Sequence, residues 1–125
     1  MGELSMIRHG QASFGDKDYD RLSHAGTMQA KILARHLLNT KQTFDAVYCG
    51  TMERQKNTAR EMIECFSKSG FPVPDTQVSA NFDEYDSFSV WDSQIPLILK
   101  EDPGLSVTIE KAYRDRKSFQ RIFEA

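Results

Sequence analysis

The sequence of 125 residues contains only two cysteines and three histidines, and it has no long apolar run and no large excess of one charge. Cys49 and Cys65 form neither a closely spaced pair nor a Cys/His zinc pattern, so we expect two reduced, buried thiols in a cytoplasmic protein. No apolar run approaches the length of a membrane helix, and we therefore expect no membrane partner. The first residues lack the basic segment and apolar core of a secretory signal.

The charges are mixed along the chain, with 16 Lys and Arg against 18 Asp and Glu and a net charge of −2. Nothing in this pattern indicates a nucleic-acid surface, so any anion site must be a local cluster of Arg and His. Internal repeats, low-complexity tracts and interdomain linkers are also missing. With 39% hydrophobic residues, the length and composition predict a single globular domain over residues 1–125.

The first feature that carries chemistry is a short apolar run that begins at Leu4 and stops at Arg8, His9 and Gly10. The run predicts a buried β-strand, and Gly10 permits a sharp turn after it. In an open α/β sheet, ligands bind at the carboxyl ends of the strands. A histidine beside an arginine at that position is a nucleophile or proton carrier next to a fixed positive charge, which suits a phosphate.

An acidic loop follows at residues 12–22, with Asp16, Asp18 and Asp20 at alternate positions. The spacing resembles the start of a calcium loop. However, Arg21 stands where that loop needs glycine and Thr27 where it needs glutamate, which excludes calcium binding of this type. A solvated loop is the better interpretation.

The remaining pattern alternates between helical and extended periodicity. Ser23 is a typical N-cap for a helix over 24–39, inside which Gly26 indicates close packing near the first turn. The pattern then predicts a strand at 44–49, a helix from residue 51 to about 68–70, and a strand at 76–78. Thr51 is a plausible N-cap for this second helix. This βαβαβ order predicts an α/β protein with a largely parallel open sheet.

Two further residues fall where the same sheet edge would bring them towards His9. Arg54 lies in the first turn of the second helix, where free N–H groups and the helix dipole already favour an anion. Glu84 lies in an acidic loop just after the third strand and would donate a proton to a leaving oxygen. Beyond it, residues 91–100 show a weak helical pattern interrupted by Pro96, and residues 114–124 show another helical pattern.

Four motifs in this order resemble the histidine phosphatase superfamily, the phosphoglycerate mutase-like group. They are Arg8, His9 and Gly10; residues 22–30 (LSHAGTMQA); residues 49–54 (CGTMER) continuing to Thr58 and Ala59; and residues 83–85 (DEY). The resemblance covers about residues 4–86. It implies a three-layer α/β/α fold around a largely parallel sheet.

The resemblance also implies roles. His9 is similar to the nucleophile that takes a phosphoryl group from a monoester, and Arg8 and Arg54 are similar to the arginines that hold the phosphate oxygens. Glu84 matches the general acid, with Asp83 as second choice. No metal and no cofactor is needed. The substrate would be a phosphorylated small molecule or phosphoprotein.

The family's pocket normally contains a second histidine, carried on a later strand in the C-terminal half of a longer chain. The sequence has no match for it, because His24 and His36 both precede the second predicted strand. We therefore expect an N-terminal portion of the family's domain, truncated at the C-terminus, with an unpaired sheet edge as a site of aggregation or of pairing between two copies in a homodimer. Three functions remain open: a phosphatase, a phosphoglycerate mutase-like phosphotransferase, and an inactive phosphate-binding or interaction module.

Overall fold

The structure, a computed structural model, describes residues 1–112, and at positions 87, 88 and 112 it describes the backbone alone. The chain divides into two compact units, Met1–Asp83 and Glu84–Ala125. Each unit is described by itself. The single domain over residues 1–125 stays a prediction, and the helical pattern predicted over 114–124 lies outside the described residues.

The first unit consists of two long helices and a parallel pair of strands. In chain order these are α1 (His24–Asn39), β1 (Val47–Cys49), α2 (Glu53–Lys68) and β2 (Thr76–Val78), followed by a 3-10 turn (Ala80–Phe82). In the sheet, Val47 lies opposite Thr76 and Cys49 opposite Val78. Because α2 connects two parallel strands, the unit is a βαβ element preceded by a helix. The predicted α/β class with a parallel sheet is confirmed.

Helix α1 begins and ends where its sequence predicts. The Ser23 hydroxyl oxygen accepts a hydrogen bond from the Gly26 amide at 3.1 Å, which satisfies one of the N–H groups left over at a helix start. At the other end Thr40 is the C-cap. Ser23 directly precedes His24, the first residue of α1, so the predicted cap lies at the observed start of the helix.

The core of the first unit lies between α1 and α2. Ala30 and Ala34 are almost fully buried on α1, and they pack with Met62 and Phe66 of α2. Phe44 packs edge-on against Phe66 with ring centroids 5.8 Å apart. The small alanines let the two helices approach, while the larger side chains of α2 fill the space between them.

The predicted first strand is wrong, because residues 4–9 do not belong to any strand in the described part of the chain. Leu4 is 85% exposed and Met6 is 90% exposed. An extended segment becomes a stable strand only when a neighbour completes its hydrogen-bond ladder. In the described residues β1 and β2 pair with each other alone, so apolar content by itself does not place this segment in the sheet.

The second unit begins with helix α3 (Ser87–Glu101), which Asp86 caps by accepting a hydrogen bond from the Ser89 amide at 3.1 Å. A 3-10 turn (Pro103–Leu105) and helix α4 (Ser106–Ala112) follow. Pro96 lies inside α3 without ending it, so the interrupted pattern predicted over 91–100 forms one helix. Trp91 and Ile109 are buried together. No helix among residues 1–112 is both long and apolar enough to cross a membrane.

Candidate active site

His9 lies at the point where the N-terminal segment meets the two helices of the first unit. The Gly10 amide donates to the Thr58 hydroxyl at 3.0 Å, and that hydroxyl donates to the Arg54 carbonyl at 2.7 Å. Thr58 is buried. Because one buried hydroxyl joins the backbone of Gly10 to the first turns of α2, the backbone beside His9 is fixed relative to Arg54.

Two glycines allow this arrangement. A Cβ at Gly10 would lie 2.4 Å from the Gly26 carbonyl oxygen, and a Cβ at Gly26 would lie 2.1 Å from the Gln11 carbonyl oxygen. Both obstacles are backbone atoms, which cannot rotate away as a side chain could. The expected close packing at Gly26 is confirmed, and its partner is the segment that carries His9.

The backbone of the same segment is also hydrogen-bonded to helix α1. The Gln29 side-chain oxygen accepts from the Gln11 amide at 2.9 Å, and the Gln11 carbonyl accepts from the Ser23 amide at 2.9 Å and from its hydroxyl at 3.1 Å. Ser23 therefore caps α1 with its oxygen and holds Gln11 with its donors. These bonds anchor the chain after His9, whereas residues 4–7 before it are exposed.

The imidazole of His9 and the guanidinium of Arg54 are in direct contact. Arg54 Nε lies 3.3 Å from His9 Nε2, and His9 Nδ1 lies 2.7 Å from the Gly10 carbonyl oxygen. Arg54 is the second residue of α2, and its side chain is only 11% exposed. The structure thus brings together His9 and Arg54, two predicted site residues that are 45 positions apart in the chain.

In the tautomer with one ring hydrogen, these two contacts place that hydrogen on one nitrogen of His9. A carbonyl oxygen only accepts hydrogen bonds, so Nδ1 must carry the hydrogen that points at Gly10. A guanidinium only donates, so Nε2 must offer its lone pair to Arg54. In this tautomer the lone pair lies on Nε2, which accepts from Arg54 Nε.

Asp20 holds the other side of the Arg54 guanidinium, with Asp20 Oδ1 at 2.7 Å from Arg54 Nη1. The second oxygen, Oδ2, accepts from the Glu53 amide at 2.8 Å. The Tyr19 ring also lies against the guanidinium, 5.8 Å from Arg54 Cζ to the ring centroid. The loop interpreted from sequence as solvated thus supplies a contact to the candidate site.

The helix cap predicted at Thr51 is wrong. Met52 is the N-cap of α2 and makes no side-chain capping bond. The Thr51 hydroxyl instead donates to Asp83 Oδ2 at 2.6 Å, and its amide donates to Asp83 Oδ1 at 2.5 Å. Because Asp20 accepts from the Glu53 amide, a carboxylate from another loop does what a local cap usually does.

Both carboxylate oxygens of Asp83 accept from Thr51, which disfavours its second-choice assignment as proton donor. The hydroxyl and then the amide of Thr51 hold the pKa of this carboxyl below its usual range, with a smaller contribution from the charge of Arg54. A group whose charged form accepts such bonds keeps that form at neutral pH. Asp83 is therefore an acceptor that ties the end of β1 to the 3-10 turn.

Arg8 and Glu84 complete the predicted set. Arg8 is exposed on the segment before His9. Glu84 is exposed and is the first residue of the second unit, whereas His9 and Arg54 belong to the first. Within the described residues no group of three or more His, Cys, Asp or Glu side chains is arranged to hold a metal ion.

Residues 4–104 match the family model described as histidine phosphatase superfamily (branch 1). The chain belongs to the histidine phosphatase superfamily. A search of curated proteins finds no match.

The superfamily covers both phosphatases and mutases. In this superfamily member, the sequence predicts His9 and Arg54, which the structure brings into contact, but it does not predict Asp20, which precedes Arg54 by 34 residues. The available signal was the alternating acidic loop, but alternation does not reveal which of three carboxylates faces an arginine. The sequence shows Thr58 only as part of a motif, because its bond to Gly10 depends on the packing of two distant segments.

Proposed function

We propose that this protein is a phosphomonoester hydrolase that acts through a phosphohistidine formed on His9. The observation that supports the proposal is the state of the His9 ring. Its Nδ1 is held by the Gly10 carbonyl, and its Nε2 presents a lone pair next to the guanidinium of Arg54. A nucleophile beside a fixed cation is the arrangement that phosphoryl transfer needs.

In the proposed first step, His9 Nε2 attacks the phosphorus of the monoester while the bond from phosphorus to the ester oxygen breaks. Glu84, in its protonated form, gives its proton to the departing alkoxide. Arg8 and Arg54 donate to the phosphate oxygens as their charge is redistributed. The products are a free alcohol and a phosphoryl group bonded to Nε2.

In the second step, the Glu84 carboxylate takes a proton from water, and the resulting hydroxide attacks phosphorus as the bond to Nε2 breaks. Inorganic phosphate leaves, His9 returns to its neutral state and Glu84 is protonated again. The same residue serves as acid and then as base, as the reversal of proton flow requires. Neither step calls for a metal ion or an organic cofactor.

Arg54 acts before the chemistry as well. In the structure its Nε donates to the lone pair that His9 must use for attack. An entering phosphate offers stronger acceptors to the guanidinium, so it would replace this contact and release Nε2. The nucleophile would then become available only when its substrate is in place.

The contacts that support the proposal, between Arg54 and His9 and between Arg54 and Asp20, would hold a phosphoryl group and do not select the rest of the substrate. We infer a phosphorylated small molecule or an exposed phosphorylated side chain of a protein as the substrate.

The direct test is hydrolysis of an aryl phosphate such as para-nitrophenyl phosphate. We expect His9→Ala to lower turnover to the uncatalysed level, and Arg54→Ala to lower it by about 10²–10³-fold, the typical loss of one oxyanion-stabilising donor. His36→Ala is the matched control, because His36 is exposed at the far end of α1. Turnover that survives His9→Ala would contradict the proposal.

The same assay separates the alternatives. A phosphotransferase of the mutase type would transfer its phosphoryl group to a second substrate faster than to water. An inactive phosphate-binding module would bind inorganic phosphate in calorimetry without turning over the aryl phosphate. Either outcome would replace hydrolysis as the activity.

A further inference from the structure

We propose that Asp20 is a positioning residue that holds the Arg54 guanidinium in the orientation in which it meets His9 and a phosphate. The inference rests on the proposed function, because it assigns a purpose to an interaction beside the nucleophile. It concerns a residue that the predicted site does not include.

The two carboxylate oxygens of Asp20 bind different groups. Oδ1 binds Arg54 Nη1 at 2.7 Å, while Oδ2 accepts from the Glu53 amide at 2.8 Å. The first contact holds the tip of the arginine side chain, and the second fixes the carboxylate to the backbone at the start of α2. A carboxylate held at the helix start can direct the side chain of the next residue, because both then move with the helix.

This arrangement overcomes the flexibility of arginine. The side chain has four rotatable bonds, and ordering it costs conformational entropy. Asp20 holds one nitrogen, and the Tyr19 ring contacts the guanidinium. Arg54 Nε, which carries a single hydrogen, is then directed at His9 Nε2.

Asp20 could act in two ways. It orients the Arg54 guanidinium, but its negative charge also competes with phosphate for the same cation. The two effects predict opposite results on removal of the carboxylate. If Asp20 mainly competes with phosphate, its loss would speed turnover and tighten phosphate binding. If Asp20 mainly orients Arg54, its loss would slow turnover. The second contact, to the Glu53 amide, favours orientation, since a carboxylate anchored to the backbone is not free to act as a displaceable anion.

The test compares Asp20→Ala and Asp20→Asn with the full chain. In Asp20→Asn the one remaining side-chain oxygen can still accept from the Glu53 amide, while the charge is removed and an NH2 group replaces the oxygen that binds Arg54. Asp18→Ala is the matched control, because Asp18 is an exposed carboxylate in the same loop. Thermal unfolding of each variant establishes that the fold is retained.

The first measurement is the Nε–H signal of Arg54 in a ¹H–¹⁵N spectrum, assigned by its disappearance in Arg54→Lys. We expect a signal protected from exchange with water in the unmodified protein and in Asp18→Ala. In Asp20→Ala we expect faster exchange, with an intermediate rate in Asp20→Asn. A signal that stays equally protected in Asp20→Ala would overturn the proposal.

The second measurement is the split of the kinetic effect between kcat and KM for an aryl phosphate. We expect kcat to fall at least tenfold in Asp20→Ala, with a smaller fall in Asp20→Asn and none in Asp18→Ala. A rise in turnover or tighter binding of inorganic phosphate in Asp20→Ala would show that Asp20 competes with phosphate, and would overturn the proposal. If the unmodified protein does not hydrolyse phosphomonoesters, the proposed function fails, whereas the exchange of the Arg54 signal still decides whether Asp20 holds the side chain.

Discussion

At the level of single residues, the two ring nitrogens of His9 have different partners, and this difference defines its chemistry. The Gly10 carbonyl requires a hydrogen on Nδ1, and the Arg54 guanidinium requires a lone pair on Nε2. The sequence predicts the pair Arg8 and His9 as a nucleophile beside a cation. The cation that the structure places against the ring is Arg54, from a different part of the chain.

The close approach of Gly10 and Gly26 leads to a prediction about stability. An alanine inside a helix is usually more favourable than a glycine by about 1 kcal/mol. We expect the reverse for Gly26→Ala, because the new Cβ would meet the Gln11 carbonyl oxygen at 2.1 Å. The displacement of backbone should lower the free energy of unfolding by about 1–3 kcal/mol.

Urea unfolding of Gly26→Ala and Gly10→Ala would measure this effect. Gly2→Ala is the control, since a Cβ at Gly2 meets no atom within 4 Å. A more stable Gly26→Ala variant would show that the segment after His9 does not pack on α1 as described.

The bond between Thr51 and Asp83 predicts a pH dependence of stability. The pKa of Asp83 is held below its ordinary value of 3.8, chiefly by the Thr51 hydroxyl. A lowered pKa in the folded state contributes stability that is present above about pH 3.8 and is lost as the pH falls through the folded value. We therefore expect acidification from pH 6 to pH 3 to destabilise the unmodified protein more than Thr51→Val.

Thermal unfolding at the two pH values would measure this difference, with Thr51→Ser as the variant that retains the hydroxyl. Equal losses of stability in the unmodified protein and in Thr51→Val would contradict the assigned bond.

Among the elements, those with local signals are the ones that the sequence predicts well. Helix α1 has a cap residue and a regular apolar stripe, and it begins and ends as expected. Strand β2 also lies at Thr76–Val78 as expected. The strand predicted in the apolar segment that begins at Leu4 is wrong, because a strand depends on a partner elsewhere in the chain. The predicted cap of α2 is wrong because it too depends on a distant partner. Asp20, 33 residues earlier in the chain, accepts the hydrogen bond from the Glu53 amide.

The packing of α1 on α2 predicts a large effect for one core residue. Phe66 is 3% exposed and contacts Phe44 and the alanines of α1. We expect Phe66→Ala to lower the free energy of unfolding by about 3–5 kcal/mol, because it removes buried apolar surface and leaves a cavity.

Phe71→Ala removes the same number of atoms at a position that is 46% exposed. We expect this control to change the free energy by about 0.5 kcal/mol or less. Chemical denaturation would compare the two, and similar losses would contradict the position of the core between α1 and α2.

For the whole molecule, the family match over residues 4–104 extends across both compact units. His9, the proposed nucleophile, and Arg54 belong to the first unit, and Glu84, the proposed acid, belongs to the second. The order of four short motifs along the chain already indicates the family. It was not enough to find Asp20 or the role of Thr58, because these depend on which side chains packing brings together.

The role proposed for Glu84 predicts a dependence on the leaving group. A proton donor matters most when the departing alkoxide is basic. We expect Glu84→Gln to slow hydrolysis of an alkyl phosphate by about 10²–10⁴-fold and to have a much smaller effect on para-nitrophenyl phosphate. Glu101→Gln is the control, because Glu101 is an exposed carboxylate at the end of α3. Equal effects on both substrates would contradict the role of Glu84 as acid.

The central claim is that His9 becomes phosphorylated on Nε2, and the most direct test is to trap that adduct. The protein would be mixed with a phosphomonoester, quenched in alkali within the first turnover and analysed by ³¹P NMR and peptide mass spectrometry. The account predicts an acid-labile, alkali-stable phosphoryl group on Nε2 of His9, present in His36→Ala and missing in His9→Ala. A phosphoryl group on another residue or on Nδ1, or turnover without any adduct, would contradict the account.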